Sequence, residues 1–245
     1  MLTQYQLTLL PQKPAAITPE WSFKFYAALL QQAPGEFGDQ MHEDAMTPVS
    51  QYLQLPRREV IWTVNLLGES SENTLIPILD SLKQISLLDS GSRLPFSVAE
   101  KKRVQIDSVD TLFAQAAGDG LHRLTFCTPT AFKSRQQYFI LPNTRLILQN
   151  LIRKWNSCIT QCPIEDDGNE GMEAMADGLF CGQYDLHSSS FRLKGHAVPG
   201  FIGEMTLQNN LRGFHRELAD ALLLFSAYAG IGIKTTLGMG GVIHR

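Results

Sequence analysis

The chain has 245 residues, enough for one large domain or two of ordinary size. An apolar fraction of 44% supports a real core, a charged fraction of 18% speaks against broad disorder, and no stretch reaches the ~20 apolar residues of a membrane span. A net charge of −3 excludes an indiscriminate polyanion binder.

In chain order, Tyr5, Leu7 and Leu9 alternate with polar residues and predict a half-buried strand. Thr18-Pro19-Glu20 has the cap, first-turn proline and early acid of a helix start, and Trp21, Phe25 and Leu29 follow at helical spacing. Pro34-Gly35 stops that helix, and a loop from Glu36 to Pro48 contains Met41-His42-Glu43. Val60, Trp62, Val64 and Leu66 alternate as a strand. Leu75, Ile78, Leu79, Leu82 and Ile85 predict a helix with Pro77 in its first turns, and Val104, Ile106 and Val109 predict a further strand. With a strand allowed before Val60 the order is β-α-β-β-α-β, the ferredoxin-like pattern.

Residues 111–120 read as a linker, after which the order repeats. Leu121 to Cys127 is a strand, and a helix follows Leu141-Pro142 with Leu146, Ile152 and Trp155. The acidic region from Gly168 to Gly178 reads as a solvated loop. Strands around 183–194 and 201–207 form a pair, and a helix carries Phe214, Leu218, Leu222 and Phe225. The expected fold is therefore α+β, with tandem ferredoxin-like domains at 1–115 and 116–245.

The chain then reaches Gly230-Ile231-Gly232-Ile233-Lys234-Thr235-Thr236-Leu237-Gly238-Met239-Gly240-Gly241. Two glycine pairs bracket a cation and two hydroxyls. The spacing fits neither a Walker loop nor a dinucleotide fingerprint. It fits two other readings: a turn that lets the last strand pack closely, or an anion-binding nest.

Phe225-Ser226-Ala227-Tyr228-Ala229-Gly230, with Gly232 and Leu237-Gly238-Met239-Gly240, resembles the C-terminal signature of the CRISPR-associated endoribonucleases that process CRISPR precursor RNA, a family of the RAMP superfamily. Thr125-Phe126-Cys127-Thr128-Pro129-Thr130, Lys154-Trp155-Asn156 and Val198-Pro199-Gly200-Phe201-Ile202-Gly203 extend the resemblance over most of 121–245. It implies two ferredoxin-like domains side by side, with CRISPR repeat RNA in and beside the cleft between them.

Cleavage of RNA without a metal needs a base for the 2′-OH, an acid for the 5′-oxygen, and stabilisation of the charge growing on phosphorus. His42, flanked by Glu43 and Asp44, suits a proton role, and the resemblance places a catalytic histidine there. Tyr26 on the first helix corresponds to a tyrosine that assists the histidine in some members; core packing beside Phe25 is the equal alternative. Those members also carry a lysine soon after the histidine, where this chain has Ala45-Met46-Thr47-Pro48.

Charge is uneven along the chain. Residues 1–115 carry 9 bases and 13 acids; residues 116–245 carry 12 and 11, with six of those acids between Glu165 and Asp177. Setting that segment aside leaves 12 bases against 5 acids, which allows a local basic face in the second half. The candidate RNA contacts are Gly230, Gly232, Lys234, Thr235, Thr236, Gly238 and Gly240 in the glycine loop, and Arg192 with Lys194, which share a strand face. Lys133 and Arg135 have the same spacing. Cys127, Cys158, Cys162 and Cys181 read as reduced thiols of a cytoplasmic protein rather than as a zinc site, and no cofactor or metal is expected. An effector complex and a second copy of the chain are further candidate partners. The alternatives are a non-catalytic RNA scaffold of the same superfamily and a small-molecule protein cradling phosphate in the glycine loop.

Overall fold

The computed structural model describes residues 1–35, 37, 47–57, 59–89, 91–193 and 195–245. His42 with Glu43 and Asp44, Arg58 and Lys194 lie outside the described residues.

In the first half β1 (Leu2–Pro11) is followed by α1 (Ser22–Leu30), β2 (Val49–Gln54), β3 (Val60–Leu67), α2 (Glu69–Ser81), β4 (Gln84–Asp89) and β5 (Ser92–Ile106). The strands make one antiparallel sheet, ordered β2-β3-β1-β5-β4. Register places Tyr5 opposite Val64, Leu7 opposite Trp62 and Leu9 opposite Val60, so one face is continuously apolar. Phe25 and Leu29 of α1 and Leu75 and Leu79 of α2 bury that face. Phe25 stacks edge-on to Phe96, with ring centroids 5.0 Å apart.

Three boundaries differ from the sequence expectation. The helix over Leu75 begins at Glu69 and ends at Ser81, so Pro77 sits inside it, Leu82 is already extended, and Ile85 pairs with Phe96 in β4. Val109 opens a helix, α3 (Val109–Ala116), instead of ending a strand: the Ser108 hydroxyl accepts the Thr111 N–H at 3.1 Å. The expected linker at 111–120 is thus largely helical, and the 115/116 division falls within α3, whose Leu112 is buried with the second half's core.

The second half comprises β6 (Leu121–Thr130), a hairpin of β7 (Phe132–Ser134) and β8 (Gln137–Phe139), α4 (Thr144–Cys158), α5 (Glu170–Gly178), β9 (Leu179–Leu193), β10 (His196–Asn209), α6 (Gly213–Ala229) and β11 (Val242–His244). Its main sheet is ordered β11-β6-β10-β9, the ferredoxin-like arrangement. The acidic loop expected at 168–178 is α5. Met172, Met175 and Ala176 turn inward, and the Asp166 carboxylate accepts the Gly171 and Met172 N–H groups at 2.9 and 2.8 Å. Phe214, expected on the apolar face of α6, is 65% exposed in its first turn. Among the described residues no helix is long and apolar enough to cross a membrane.

The halves are joined by more than the connecting chain. Leu2, Leu67 and Ile106 of the first pack into the core of the second. Ser50 Oγ donates to Tyr228 O at 2.5 Å, Gln4 Nε2 to Ala227 O at 3.3 Å, and Gln51 Nε2 to Thr236 O at 2.8 Å.

Candidate nucleic-acid interface

Helix α6 ends where Gly230 turns to φ 66°, its N–H still donating to Ser226 O at 2.8 Å. Gly232, Gly238 and Gly240 also have positive φ. At Gly240 a Cβ would stand 2.0 Å from Ile231 O, and at Gly232 it would stand 2.3 Å from Ala131 O. These contacts fold the loop on itself and onto β6. The Ile231 N–H reaches Gly240 O at 2.9 Å, the Gly240 N–H reaches Pro129 O at 3.1 Å, and the Gly232 N–H reaches Asn150 Oδ1 at 2.8 Å. The amides of Gly230, Gly232 and Gly240 therefore serve the loop's own shape, and side chains are left to meet an anion. On the other side Ser22 Oγ donates to Leu237 O at 2.9 Å, so the first turn of α1 holds the loop as well.

Under the loop lies Lys154, 6% exposed. Its Nζ donates to Ala229 O at 2.9 Å, Gly230 O at 3.0 Å and Thr235 Oγ1 at 3.2 Å. All three ammonium protons are spent on the turn between α6 and the loop. No carboxylate accompanies it among the described residues, and burial pushes its pKa down to about 7. Helical spacing puts Asn150, Arg153 and Lys154 on one face of α4.

The loop, that face of α4 and the β7–β8 hairpin enclose a cavity of about 540 Å3. Lys133, Arg153, Lys154 and Lys234 line it together with Asn150, Thr235 and Thr236, and no carboxylate is among its described lining residues. Lys234 is exposed and held at φ 56° ahead of the turn Thr235–Leu237. Lys133, Arg153 and Lys234 give the cavity a cationic lining, with buried Lys154 beneath it. These cations lie in the second half, where the sequence allowed a basic face. Lys234, Thr235 and Thr236 belong to it; Arg153 and Lys154 were not singled out from sequence, although their helical spacing with Asn150 was visible.

The other candidates lie elsewhere. Tyr26 is 7% exposed in the first half's core, lines no part of this cavity, and its hydroxyl has no hydrogen-bond partner among the described residues. Burial pushes its pKa above the ordinary phenol value. Arg192 is exposed on β9 opposite Ala197, away from the cavity. His122 is a satisfied core residue: Nε2 is 2.7 Å from Asp220 Oδ1 and Nδ1 is 2.9 Å from His244 Nε2. Asn209 Nδ2 donates to the same Asp220 oxygen at 2.5 Å. Among the described residues no three His, Cys, Asp or Glu side chains converge as a metal site.

A family model described as CRISPR-associated endoribonuclease Cas6 matches residues 124–242. A CRISPR-associated endoribonuclease Cas6 of Streptococcus thermophilus is 30% identical over 223 residues, covering 89% of each chain. The chain belongs to the Cas6 family. Among solved structures, a Cas6 product complex matches with a TM-score of 0.76 at 21% identity, covering 100% of this chain and 99% of that one. A Cas6 of Thermus thermophilus matches with a TM-score of 0.75 at 22% identity, covering 100% and 98%. At such identities these two carry the fold, and both Cas6 folds extend over the first half, beyond the span of the family match.

Proposed function

We propose that this Cas6-family endoribonuclease cuts CRISPR precursor transcripts within the repeat, without a metal ion, and releases guide RNAs for an effector complex. Family membership supports the substrate class. The observation that carries the reading of the site is the cavity lined by Lys133, Arg153 and Lys234 at the glycine loop, bounded at one side by Thr47, a few residues beyond His42 in sequence. RNA phosphates enter this cavity and meet Lys133, Arg153 and Lys234, while Thr235 and Thr236 offer hydroxyls. Gly230, Gly232, Gly238 and Gly240 shape the loop that presents them. Arg192 on β9, with Lys194 two residues on in sequence, holds a more distant part of the backbone.

In the reaction the 2′-oxygen attacks the neighbouring phosphorus, its proton passing to a base. The bond from phosphorus to the 5′-oxygen breaks, and that oxygen takes a proton from an acid. The products are a 2′,3′-cyclic phosphate and a 5′-hydroxyl. His42 serves as acid or base, and Tyr26 as its assistant. Where related sequences place a lysine after the histidine, this chain has none, and charge on the phosphorane falls to the cations of the cavity. The enzyme works in the cytoplasm.

The test is incubation with labelled repeat RNA in EDTA, beside His42→Ala and an RNA with a 2′-deoxy at the scissile position. Cleavage blocked by either change supports the mechanism. Binding without cleavage moves the protein to a scaffold role. Cleavage that survives His42→Ala keeps the enzyme and removes His42 from its centre.

A further inference from the structure

A second cavity, about 1040 Å3, lies among α3, α5, α6 and the segment 162–171, and the proposed RNA chemistry leaves it unused. Its floor is apolar. Val109 and Phe113 of α3 and Phe214 and Leu218 of α6 form two ridges at one-turn spacing, with Met175, Ile164 and Trp155 between and below them. Phe214 stands 65% exposed on one ridge, an aromatic ring with nothing packed over it.

The rim has the opposite character. Asp110, Glu165, Asp167, Glu170 and Glu217 surround the floor, all exposed, and none forms an ion pair among the described residues. The rim is also preformed. Asn156 clamps Ile164 through its N–H at 2.7 Å and its carbonyl at 2.9 Å, Trp155 Nε1 donates to Cys162 O at 2.7 Å, and Asp166 caps α5. Such a groove needs little ordering to bind.

We propose that this groove docks a cationic amphipathic helix of a protein partner. The ridges on α3 and α6 leave a channel for a third helix to seat an apolar ridge. Five unpaired carboxylates then meet lysines or arginines along its flanks, which is the charge complementarity that selects the occupant. The same carboxylates repel RNA, whose cavity carries Lys133, Arg153 and Lys234 and no acid among its described lining residues. The two cavities therefore divide the second half into an RNA face and a protein face.

The probe is a fluorescein-labelled synthetic helix of about 15 residues, with leucines at i, i+3, i+4 and i+7 and lysines elsewhere, titrated against the full chain by anisotropy. Controls are the same composition scrambled and the same helix with glutamate for lysine. Saturable binding is expected for the amphipathic lysine peptide, weakened about tenfold or more by scrambling, by the glutamate exchange, and by Phe214→Ser or the pair Glu170→Lys and Glu217→Lys. These positions are exposed, so the variants should keep the parent's circular dichroism and melting temperature. Saturating repeat RNA should not displace the peptide. Absence of binding overturns the proposal. So does equal binding of the scrambled peptide, which is charge alone, or of the glutamate peptide, which is apolar contact alone. Indifference to the variants, or displacement by RNA, puts the peptide elsewhere and overturns it too.

Discussion

Replacing Lys154 by methionine keeps most of the buried volume and removes the ammonium, and its effect on stability should change sign with pH. Two opposing costs decide this. Without the lysine, Ala229 O, Gly230 O and Thr235 Oγ1 lose their donor, at about 1 kcal/mol each, or about 3 in all. With the lysine, burial has to be met. Unfolded, the side chain keeps its proton up to about 10.5; folded, it gives the proton up at about 7. Between those values the unfolded chain binds the extra proton, so raising the pH favours the folded state, by about 1.4 kcal/mol per pH unit. At pH 7 the parent therefore bears a cost of about 5 kcal/mol, which falls toward zero by pH 10. Lys154→Met should be as stable as the parent or more so at pH 7, equal it at about pH 8, and be less stable by about 2 kcal/mol at pH 10. Urea unfolding of both proteins at pH 7, 8, 9 and 10 measures the difference directly, and other titrating groups cancel between them. Parallel curves would refute the reasoning. They would mean that three neutral oxygens keep the ammonium charged throughout, and that the lysine serves the RNA cavity as a full cation.

Gly240→Ala should destabilise the fold by about 2 kcal/mol or more, since a Cβ at φ 65° would collide with Ile231 O; a melting temperature within a degree of the parent would contradict the packing described for the loop. Lys234→Ala and Arg153→Ala should each weaken repeat RNA binding and lower the slope of log affinity against log salt by about 1, measured by filter binding across salt concentrations. His244 is held down to about 4 by burial and by His122, so its fold-specific contribution is present above pH 6.5 and fades as pH falls through 4; NMR titration of its ring should show a neutral side chain at pH 5.5. Asp220→Ala should cost about 3 kcal/mol, because it removes the buried partner of His122 Nε2 and one of the two acceptors of Asn209 Nδ2, and calorimetry would record it as a large drop in melting temperature.

The elements that could be read from sequence were those whose pattern is local. Tyr5, Leu7 and Leu9 alternate because β1 is buried on one face, and Leu218, Leu222 and Phe225 repeat helically because α6 is the second half's main packing helix. Helix α5 was hidden because acids are spread along it and three more precede it at 165–167; Met172 and Met175 are three apart, but without knowing that Asp166 caps the helix the stretch reads as solvated. Helix α3 was hidden by its brevity and by Gly118 and Gly120 beyond it. The glycine loop could be located but not understood. Its partners are Ser22, Gln51, Ala131 and Asn150, which no local pattern connects to it. Arg153 and Lys154 were legible as one face of a helix, but which face looked into a cavity depended on the position of that loop.

The hydrogen bonds that tie Gln4, Ser22, Ser50 and Gln51 to residues 227–237 span from 178 to 223 positions of sequence. During synthesis the amino-terminal half therefore emerges long before its last partners exist. Until then Leu2, Leu67 and Ile106 have no second core to enter, and Ser50 and Gln51 have no carbonyl to reach. Contacts of such long range make for slow completion of the fold. They also leave apolar surface of the nascent first half uncovered until the end, so lesions in the glycine loop should first appear in cells as lost yield.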